Sequence, residues 1–208
     1  MKTLCLGGSF NPIHHGHLIC SRAAAEAGGY ERVLLIPSAQ PPHKPDRSEL
    51  ADASHRLQMC RLAIKIPSRD TLPVGPKASQ ITFDVSEVEL PRTGPSYTLD
   101  TVRQLRSEGW PEVHWLIGAD MLNYLPKWHR AADLLRETHF VVMARPEVPI
   151  AWESLPAEFG KLKSHVVTTP LVQISSTNIR QRIRAGLPID YLAPPPVADY
   201  IHNHKLYL

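Results

Sequence analysis

Short apolar segments alternate with helical patterns along this chain, and this alternation constrains its fold more than any other feature. Short runs rich in apolar and β-branched residues predict strands, and longer amphipathic runs predict helices. The predicted strands are Lys2–Leu6, Val33–Pro37, Leu72–Val74, Val113–Ile117, Phe140–Ala144 and Val166–Thr168. The predicted helices are Gly16–Ala27, Ala51–Ile64, Thr98–Ser107, Ala131–Arg136, Thr177–Ala185 and Val197–His202.

The alternation predicts an α/β fold. We expect a Rossmann-like, doubly wound and mostly parallel sheet with helices on both faces. The chain has 208 residues, 43% of them hydrophobic, which is enough for one core. We therefore expect a single domain over residues 1–208, with a helical C-terminal part from about residue 175. In such sheets ligands bind beyond the carboxyl ends of the strands, near the reversal in strand order.

Composition and charge exclude several classes of protein. The net charge of +3 is mild and dispersed, so we expect no nucleic-acid surface. The sequence has no run near the roughly 18 apolar residues of a membrane span, and the apolar run at Met1–Leu6 is too short for a signal peptide. Cys5, Cys20 and Cys60 are far apart and form no CxxC pair, which argues against a disulfide framework or structural zinc. We expect a cytoplasmic protein without a membrane partner.

The segment Gly7–His17, which reads GGSFNPIHHGH, follows the first predicted strand directly. Its glycine pair removes side chains where the backbone turns towards a ligand. The helix that starts near Gly16 directs its free N–H groups into the same space. His14 and His17 are close enough for both imidazoles to face one anionic centre, where they could stabilise charge on a phosphoryl oxygen. The alternative is a metal cluster, but no carboxylate lies nearby in the sequence and the spacing is not a zinc pattern.

A second segment, Ile174–Arg180, combines three consecutive hydroxyl side chains with a guanidinium. The hydroxyls suit the N-cap of the helix that carries Arg180. Together with the helix N-terminus they could form a cradle for a polyphosphate. The alternative is that they only cap a basic, solvated helix.

The two segments together resemble the signatures of the HxGH nucleotidyltransferase superfamily. GSFNP with His14-x-Gly16-His17 is similar to the first signature, and Ile174–Arg180 is similar to the ISSTxIR motif. The resemblance implies catalytic roles for His14, His17 and Arg180. It implies ATP contacts for Gly8, Ser9, Phe10, Ser175, Ser176, Thr177 and Ile179.

Further segments resemble the nicotinate-nucleotide adenylyltransferases in particular. Pro37–Lys44 is similar to their PxxxPPHK loop, Ser96–Thr101 to their SYTxDT segment, and the aromatic ring of Trp128 stands where they stack the pyridine. The resemblance covers almost the whole chain and departs modestly from the pattern, with Ile13 where the family often has proline. It implies mononucleotide contacts for Lys44, Tyr97, Thr98, Gly118, Asp120 and Trp128.

These contacts also have a physical rationale. An electron-poor pyridine gains about 1 kcal/mol by stacking on an indole. Its carboxylate is favoured at the N-terminus of the helix that starts near Tyr97, where an amide would gain less.

The resemblance implies adenylyl transfer from ATP to nicotinate mononucleotide by direct in-line attack on the α-phosphate. Mg²⁺ would be carried by the ATP phosphates, with no metal ligand from the protein. Alternatives are a nicotinamide or dual-specificity enzyme, a phosphopantetheine enzyme, an aminoacyl-tRNA synthetase fragment, and a non-catalytic nucleotide sensor. The phosphopantetheine enzymes lack the SYTxDT and tryptophan segments, and a synthetase would need a KMSKS-like loop. A sensor should have lost a phosphate contact, yet His14, His17 and Arg180 are all present. The sequence leaves the oligomeric state open.

Overall fold

A computed structural model describes residues 1–42, 48–65, 81–144 and 149–208. The strands are β1 Thr3–Gly8, β2 Arg32–Pro37, β3 Thr82–Val85, β4 His114–Gly118, β5 His139–Ala144 and β6 Val166–Thr168. The helices are α1 His15–Ala27, α2 Ala53–Ala63, α3 Thr98–Ser107, α4 Ala119–Tyr124, α5 Ala131–Glu137, α6 Ser176–Arg184 and α7 Pro195–Asn203. Shorter 3-10 helices occupy Leu125–Lys127, Trp152–Ser154 and Ala157–His165.

The described strands form one parallel sheet in the order β3-β2-β1-β4-β5-β6. The order reverses between β1 and β4, whose register pairs Leu4 with His114 and Cys5 with Trp115. This is the strand order of a Rossmann-like fold, so the predicted fold class is confirmed. The reversal places the ends of β1 and β4 side by side, which creates a crevice for a ligand.

Both faces of the sheet are buried. Because successive strand residues point to opposite sides, one strand can contribute to both core clusters. In β1, Leu4 and Leu6 pack in one core cluster, whereas Cys5 packs in the other. The cluster on the first face includes residues of α1, α2, α6 and α7. The cluster on the second face includes residues of α3, α4, α5 and the Ala157–His165 helix. Residues of α6 and α7 thus share a core cluster with residues of β1.

The sequence prediction missed β3 and α4. Strand β3 is a short edge strand in which Thr82 and Asp84 are exposed, so its polar residues hide the apolar pattern. Its pairing with β2, which sets Arg32 opposite Thr82, decides its conformation. The predicted strand Leu72–Val74 lies outside the described residues. Among the helices of the described ranges, none is long and apolar enough to cross a membrane.

Candidate active site

A cleft of about 410 Å³ opens where β1 and β4 end, at the reversal of strand order. Residues predicted for ATP and residues predicted for the mononucleotide both line it. The predicted ATP contacts are Gly8, Ser9 and Phe10, and the predicted mononucleotide contacts are Thr98, Gly118, Asp120 and Trp128. The predicted catalytic residue His17 also lines the cleft. The fold therefore brings together segments more than one hundred residues apart in the sequence.

Residues 11–17, here called the histidine turn, carry the two predicted catalytic imidazoles. The two side chains differ in their exposure to the cleft. His14 is the N-cap of α1 and is 5% exposed, whereas His17 lines the cleft. The rings stack with their centroids 3.7 Å apart. The backbone N–H of His14 donates to Nδ1 of His17 at 3.3 Å. Because Nδ1 accepts this bond, the proton of the neutral His17 ring lies on Nε2.

Phe10 connects the end of β1 to the histidine turn. Its φ of +43° lies in the left-handed region, which is rare for a bulky side chain. The ring is 1% exposed and meets the ring of His17 edge to face, with centroids 5.1 Å apart. Burial of the Phe10 ring thus supports both the unusual backbone and the orientation of His17.

The glycines of the first motif have distinct packing roles. A Cβ on Gly7 would lie 2.5 Å from Cζ2 of Trp115, so Gly7 makes room for the indole. A Cβ on Gly16 would lie 3.0 Å from Nδ1 of His14 and 3.4 Å from the carbonyl oxygen of Ile174. Gly16 therefore allows the second motif to approach the buried imidazole.

The second motif packs directly against the histidine turn. Ser175 is the N-cap of α6, and its Oγ accepts a bond from the N–H of Asn178 at 3.1 Å. The Ser176 hydroxyl donates to the carbonyl oxygen of Pro12 at 2.8 Å. Thr177 is exposed, and Ile179 is fully buried in the first core cluster. Of the residues predicted for ATP here, Ser175 and Thr177 are thus open to a ligand, whereas the side chain of Ile179 serves packing.

Arg180 is buried behind the histidine turn, and the described cleft lining does not include it. Its Nη1 donates to the carbonyl oxygen of Asn11 at 3.0 Å, and its Nη2 donates to Oε2 of Glu49 at 2.8 Å. Glu49 also pairs with Arg184 at 2.6 Å. Hydrogen bonds from Arg180 and then Arg184 lower the pKa of the Glu49 carboxyl. Both Nη atoms of Arg180 are thus engaged by protein oxygens, and its direct contact with phosphate stays a prediction.

Arg56 is a site-supporting residue that sequence reasoning missed. It is completely buried, and its guanidinium donates to the carbonyl oxygens of Ala51 at 2.8 Å, Ser9 at 2.8 Å and Ala39 at 3.1 Å. Burial lowers its pKa. It ties the loops after β1 and β2 to the start of α2. Its position on the buried face of α2, in line with Cys60 and Ala63, was the available signal.

On the opposite side of the cleft stand Tyr97, Trp128 and His129, here called the aromatic wall. They line an adjoining pocket of about 200 Å³, together with Thr98 and others. The rings of Tyr97 and His129 stack with their centroids 4.2 Å apart. Tyr97 is the N-cap of α3, so the free N–H groups of that helix open beside the wall. This pocket offers flat aromatic rings next to a helix N-terminus.

Gly118 and Asp120 lie at the end of β4, where α4 begins. A Cβ on Gly118 would collide with Oδ1 of Asp120, so the glycine allows the carboxylate to fold back over the strand end. Asp120 is exposed and lines the cleft. The structure thus places both predicted residues at the cleft.

Glu89, also missed from the sequence, is 2% exposed and lines the cleft. The Thr101 hydroxyl donates to its Oε1 at 2.6 Å, and Nη1 of Arg92 donates to the Thr101 oxygen at 2.9 Å. Burial raises the pKa of the Glu89 carboxyl. A carboxylic acid placed between apolar residues, Val88 and Leu90, was the signal in the sequence.

Basic groups reach the described cleft mainly from behind the backbone. No lysine or arginine side chain lines the cleft within the described ranges, although Arg56 and Arg180 hold carbonyls of its turns. Lys44, which was predicted to bind the mononucleotide, lies outside the described residues. Nor do the described residues gather three or more His, Cys, Asp or Glu side chains into a group that could hold a metal ion.

Comparison with known proteins identifies the family of the chain. The chain matches the cytidylyltransferase-like family model over residues 5–182. A Synechococcus sp. (strain JA-3-3Ab) protein named "probable nicotinate-nucleotide adenylyltransferase" is 39% identical over 207 residues, covering 98% of this chain and 93% of that one. A Bacillus pumilus protein of the same name is 39% identical over 209 residues, covering 100% and 99%.

The fold has a solved counterpart. The structure of Plasmodium falciparum nicotinic acid mononucleotide adenylyltransferase complexed with NaAD superposes with a TM-score of 0.70 at 19% identity. It covers 100% of this chain and 98% of that one. At this identity the superposition supports the fold alone.

Proposed function

Because this chain belongs to the cytidylyltransferase-like family and, within it, to the nicotinate-nucleotide adenylyltransferases, we propose that the cleft between β1 and β4 is where it joins ATP to nicotinate mononucleotide. The enzyme transfers the adenylyl group of ATP and acts in NAD biosynthesis. An oxygen of the mononucleotide phosphate bonds to the α-phosphorus of ATP, and the bond from that phosphorus to the bridging oxygen of the β-phosphate breaks. The products are nicotinate adenine dinucleotide and pyrophosphate.

One observation carries the proposal about the site. His17, the N-terminal turn of α3 and Trp128 all face one cleft at the reversal of strand order. The cleft therefore offers a donor for the phosphoryl oxygens of ATP on one side. On the other side it offers an aromatic surface for the pyridine acid of the mononucleotide.

On the phosphate side, catalysis requires positioning and charge stabilisation and needs no general base, since the attacking phosphate is already an anion. We propose that Nε2–H of His17 donates to a phosphoryl oxygen where charge develops. His14 would support it through the backbone bond to Nδ1. The N-termini of α1 and α6, with Ser9, Ser175 and Thr177, would receive the triphosphate. Arg180 would act as a positioning residue through the carbonyl of Asn11.

On the mononucleotide side, Trp128 would stack on the pyridine, and the free N–H groups at Tyr97 and Thr98 would bind its carboxylate. An amide carries no charge for this helix N-terminus to favour, so the acid is the expected substrate. Asp120 would accept hydrogen bonds from ligand hydroxyls at the end of β4. Lys44 remains a predicted phosphate contact.

Mg²⁺ is proposed to arrive with ATP, bound by phosphate oxygens and water as this ion usually is. The described residues offer no clustered ligands that would hold it separately. The cytoplasm is the proposed compartment, since Cys5, Cys20 and Cys60 are all buried free thiols.

The test is pyrophosphate release from ATP and Mg²⁺ with three acceptors: nicotinate mononucleotide, nicotinamide mononucleotide and phosphopantetheine. We expect strong turnover with the first. Comparable turnover with the amide would mean that the pocket recognises ring shape more than charge. Absence of turnover with every acceptor would contradict the proposed function and favour a nucleotide-binding sensor.

A further inference from the structure

The histidine turn makes several long-range hydrogen bonds with the last part of the chain. Ser176 donates to the carbonyl of Pro12, and Arg180 donates to the carbonyl of Asn11. The N–H of His15 donates to the carbonyl of Leu192 at 3.0 Å. The C-terminal segment therefore holds the backbone of the histidine turn through these hydrogen bonds.

The side chain of Asn11 is the junction of these contacts. It is 2% exposed, and its Oδ1 accepts two hydrogen bonds, from the Tyr207 hydroxyl at 2.9 Å and from the N–H of Ala51 at 3.0 Å. Its Nδ2 donates to the carbonyl of Glu49 at 2.8 Å. With both oxygen lone pairs engaged, the amide of Asn11 is held in one orientation. The backbone of the turn, which leads to His14, follows that orientation.

Tyr207 reaches this junction from one residue before the end of the chain. Its ring is half-buried against the first core cluster, and its backbone has a φ of +68°. Burial raises the pKa of the phenol above its ordinary value, so the hydroxyl remains a proton donor at working pH. The nearby cations Arg56 and Arg180 act in the opposite direction and do not reverse the shift.

We propose that the Tyr207 hydroxyl is a positioning group of the enzyme, which fixes Asn11 and thereby the histidine turn that receives the triphosphate. This inference rests on the proposed function for its kinetic readout. Tyr207 does not line the described cleft, so it acts through Asn11 and not on the substrate. The contact spans 196 residues of sequence, so it couples the chain end to the first catalytic motif.

The test is Tyr207→Phe, which removes only the hydroxyl and keeps the ring packing. Loss of one positioning hydrogen bond should lower kcat/KM for ATP by about fivefold to tenfold. The KM for nicotinate mononucleotide should stay unchanged, because the turn faces the phosphates and the aromatic wall faces the pyridine. The matched control is Tyr191→Phe, since Tyr191 is 92% exposed, and it should match the wild type.

A purely structural role would reduce the amount of active enzyme, lowering kcat alone and the melting temperature, with both KM values intact. That pattern, or a Tyr207→Phe enzyme with kcat/KM for ATP within about twofold of wild type, overturns the proposal. ATP binding measured by calorimetry without acceptor adds a readout that does not depend on the substrate assignment. We expect weaker ATP binding in Tyr207→Phe, and unchanged ATP affinity overturns the positioning role even if the acceptor assignment fails.

A double-mutant cycle tests the route of action. In an Asn11→Ala background, Tyr207→Phe should cause no further loss in kcat/KM for ATP, because the group it orients is gone. A further loss of the original size would show that the hydroxyl acts by another route, and it would overturn the role assigned to Asn11.

Discussion

The histidine turn and the aromatic wall face each other across one cleft but are built on different principles. The turn is fixed by buried hydrogen bonds from distant segments, through Asn11, Pro12 and the backbone of His15. The wall consists of side chains that stack at the rim, where Tyr97 and Trp128 are half-buried and His129 is exposed. A geometry fixed by several contacts suits the proposed role of the turn, because preorganised donors need no reorganisation during reaction. Stacked side chains suit substrate selection, because they supply area and shape.

The largest expected effect is a loss of kcat on substitution of a side chain in the histidine turn. His17→Ala removes the donor that lines the cleft and should lower kcat by about one-hundredfold to one-thousandfold, as for a lost oxyanion donor. His15→Ala is the control, since His15 occupies the variable position of the motif. Steady-state kinetics with both substrates gives the answer. Equal losses in the two variants would place the catalytic imidazole elsewhere.

The next prediction concerns the support beneath the turn. Arg56→Met removes three hydrogen bonds from a buried guanidinium to backbone carbonyls and should reduce the free energy of unfolding by about 3 kcal/mol. Arg61→Met on the same helix is the control, because Arg61 is an exposed partner of Glu87. Urea denaturation followed by circular dichroism measures both. If Arg56→Met is as stable as the control, the loops after β1 and β2 do not depend on this residue.

The third prediction concerns the aromatic wall, where a substitution should change kinetics less than His17→Ala does. Trp128→Leu should raise KM for nicotinate mononucleotide about fivefold with kcat nearly unchanged, since stacking is worth about 1 kcal/mol. Trp128→Phe keeps an aromatic face and should lose less. A fall in kcat as large as that of His17→Ala would contradict the division of labour between the two sides.

The smallest expected effect is a pH dependence of stability, and it concerns the buried carboxyl of Glu89 in the cleft. Burial raises the pKa of Glu89 above its ordinary 4.5, so its contribution to stability is complete below that value and is lost as pH rises through the folded-state pKa. Glu89→Gln keeps the neutral form at all pH values. It should therefore raise the melting temperature, relative to wild type, more at about pH 8 than at about pH 5. The exposed Glu153→Gln should show no such difference, and a pH-independent gain for Glu89→Gln would contradict the buried-acid assignment.

The site was predictable from sequence where its signals are local. The prediction that Ser175 caps a helix agrees with the structure, because capping depends on residues within one turn. The expectation that His17 lies at the ligand-binding edge followed from its position just after β1, because parallel strands bring their carboxyl ends to one edge. The expectation for Trp128 rested on the family resemblance, and the structure places both residues in one cleft. The contacts of Arg180 did not follow, because Glu49 lies 131 residues away and nothing in the local pattern pairs them.

The sequence by itself determined the alternation of strands and helices, the motifs at their ends and the family. Apolar periodicity and short motifs encode these features within a few residues, so they can be recognised before folding is considered. Only the tertiary structure decided that Arg56 ties the loops after β1 and β2 to the start of α2, that Arg180 is engaged behind the turn, and that Tyr207 holds Asn11. The physical reason is that such contacts form when packing of the whole core brings distant buried polar groups together, where each must find a partner.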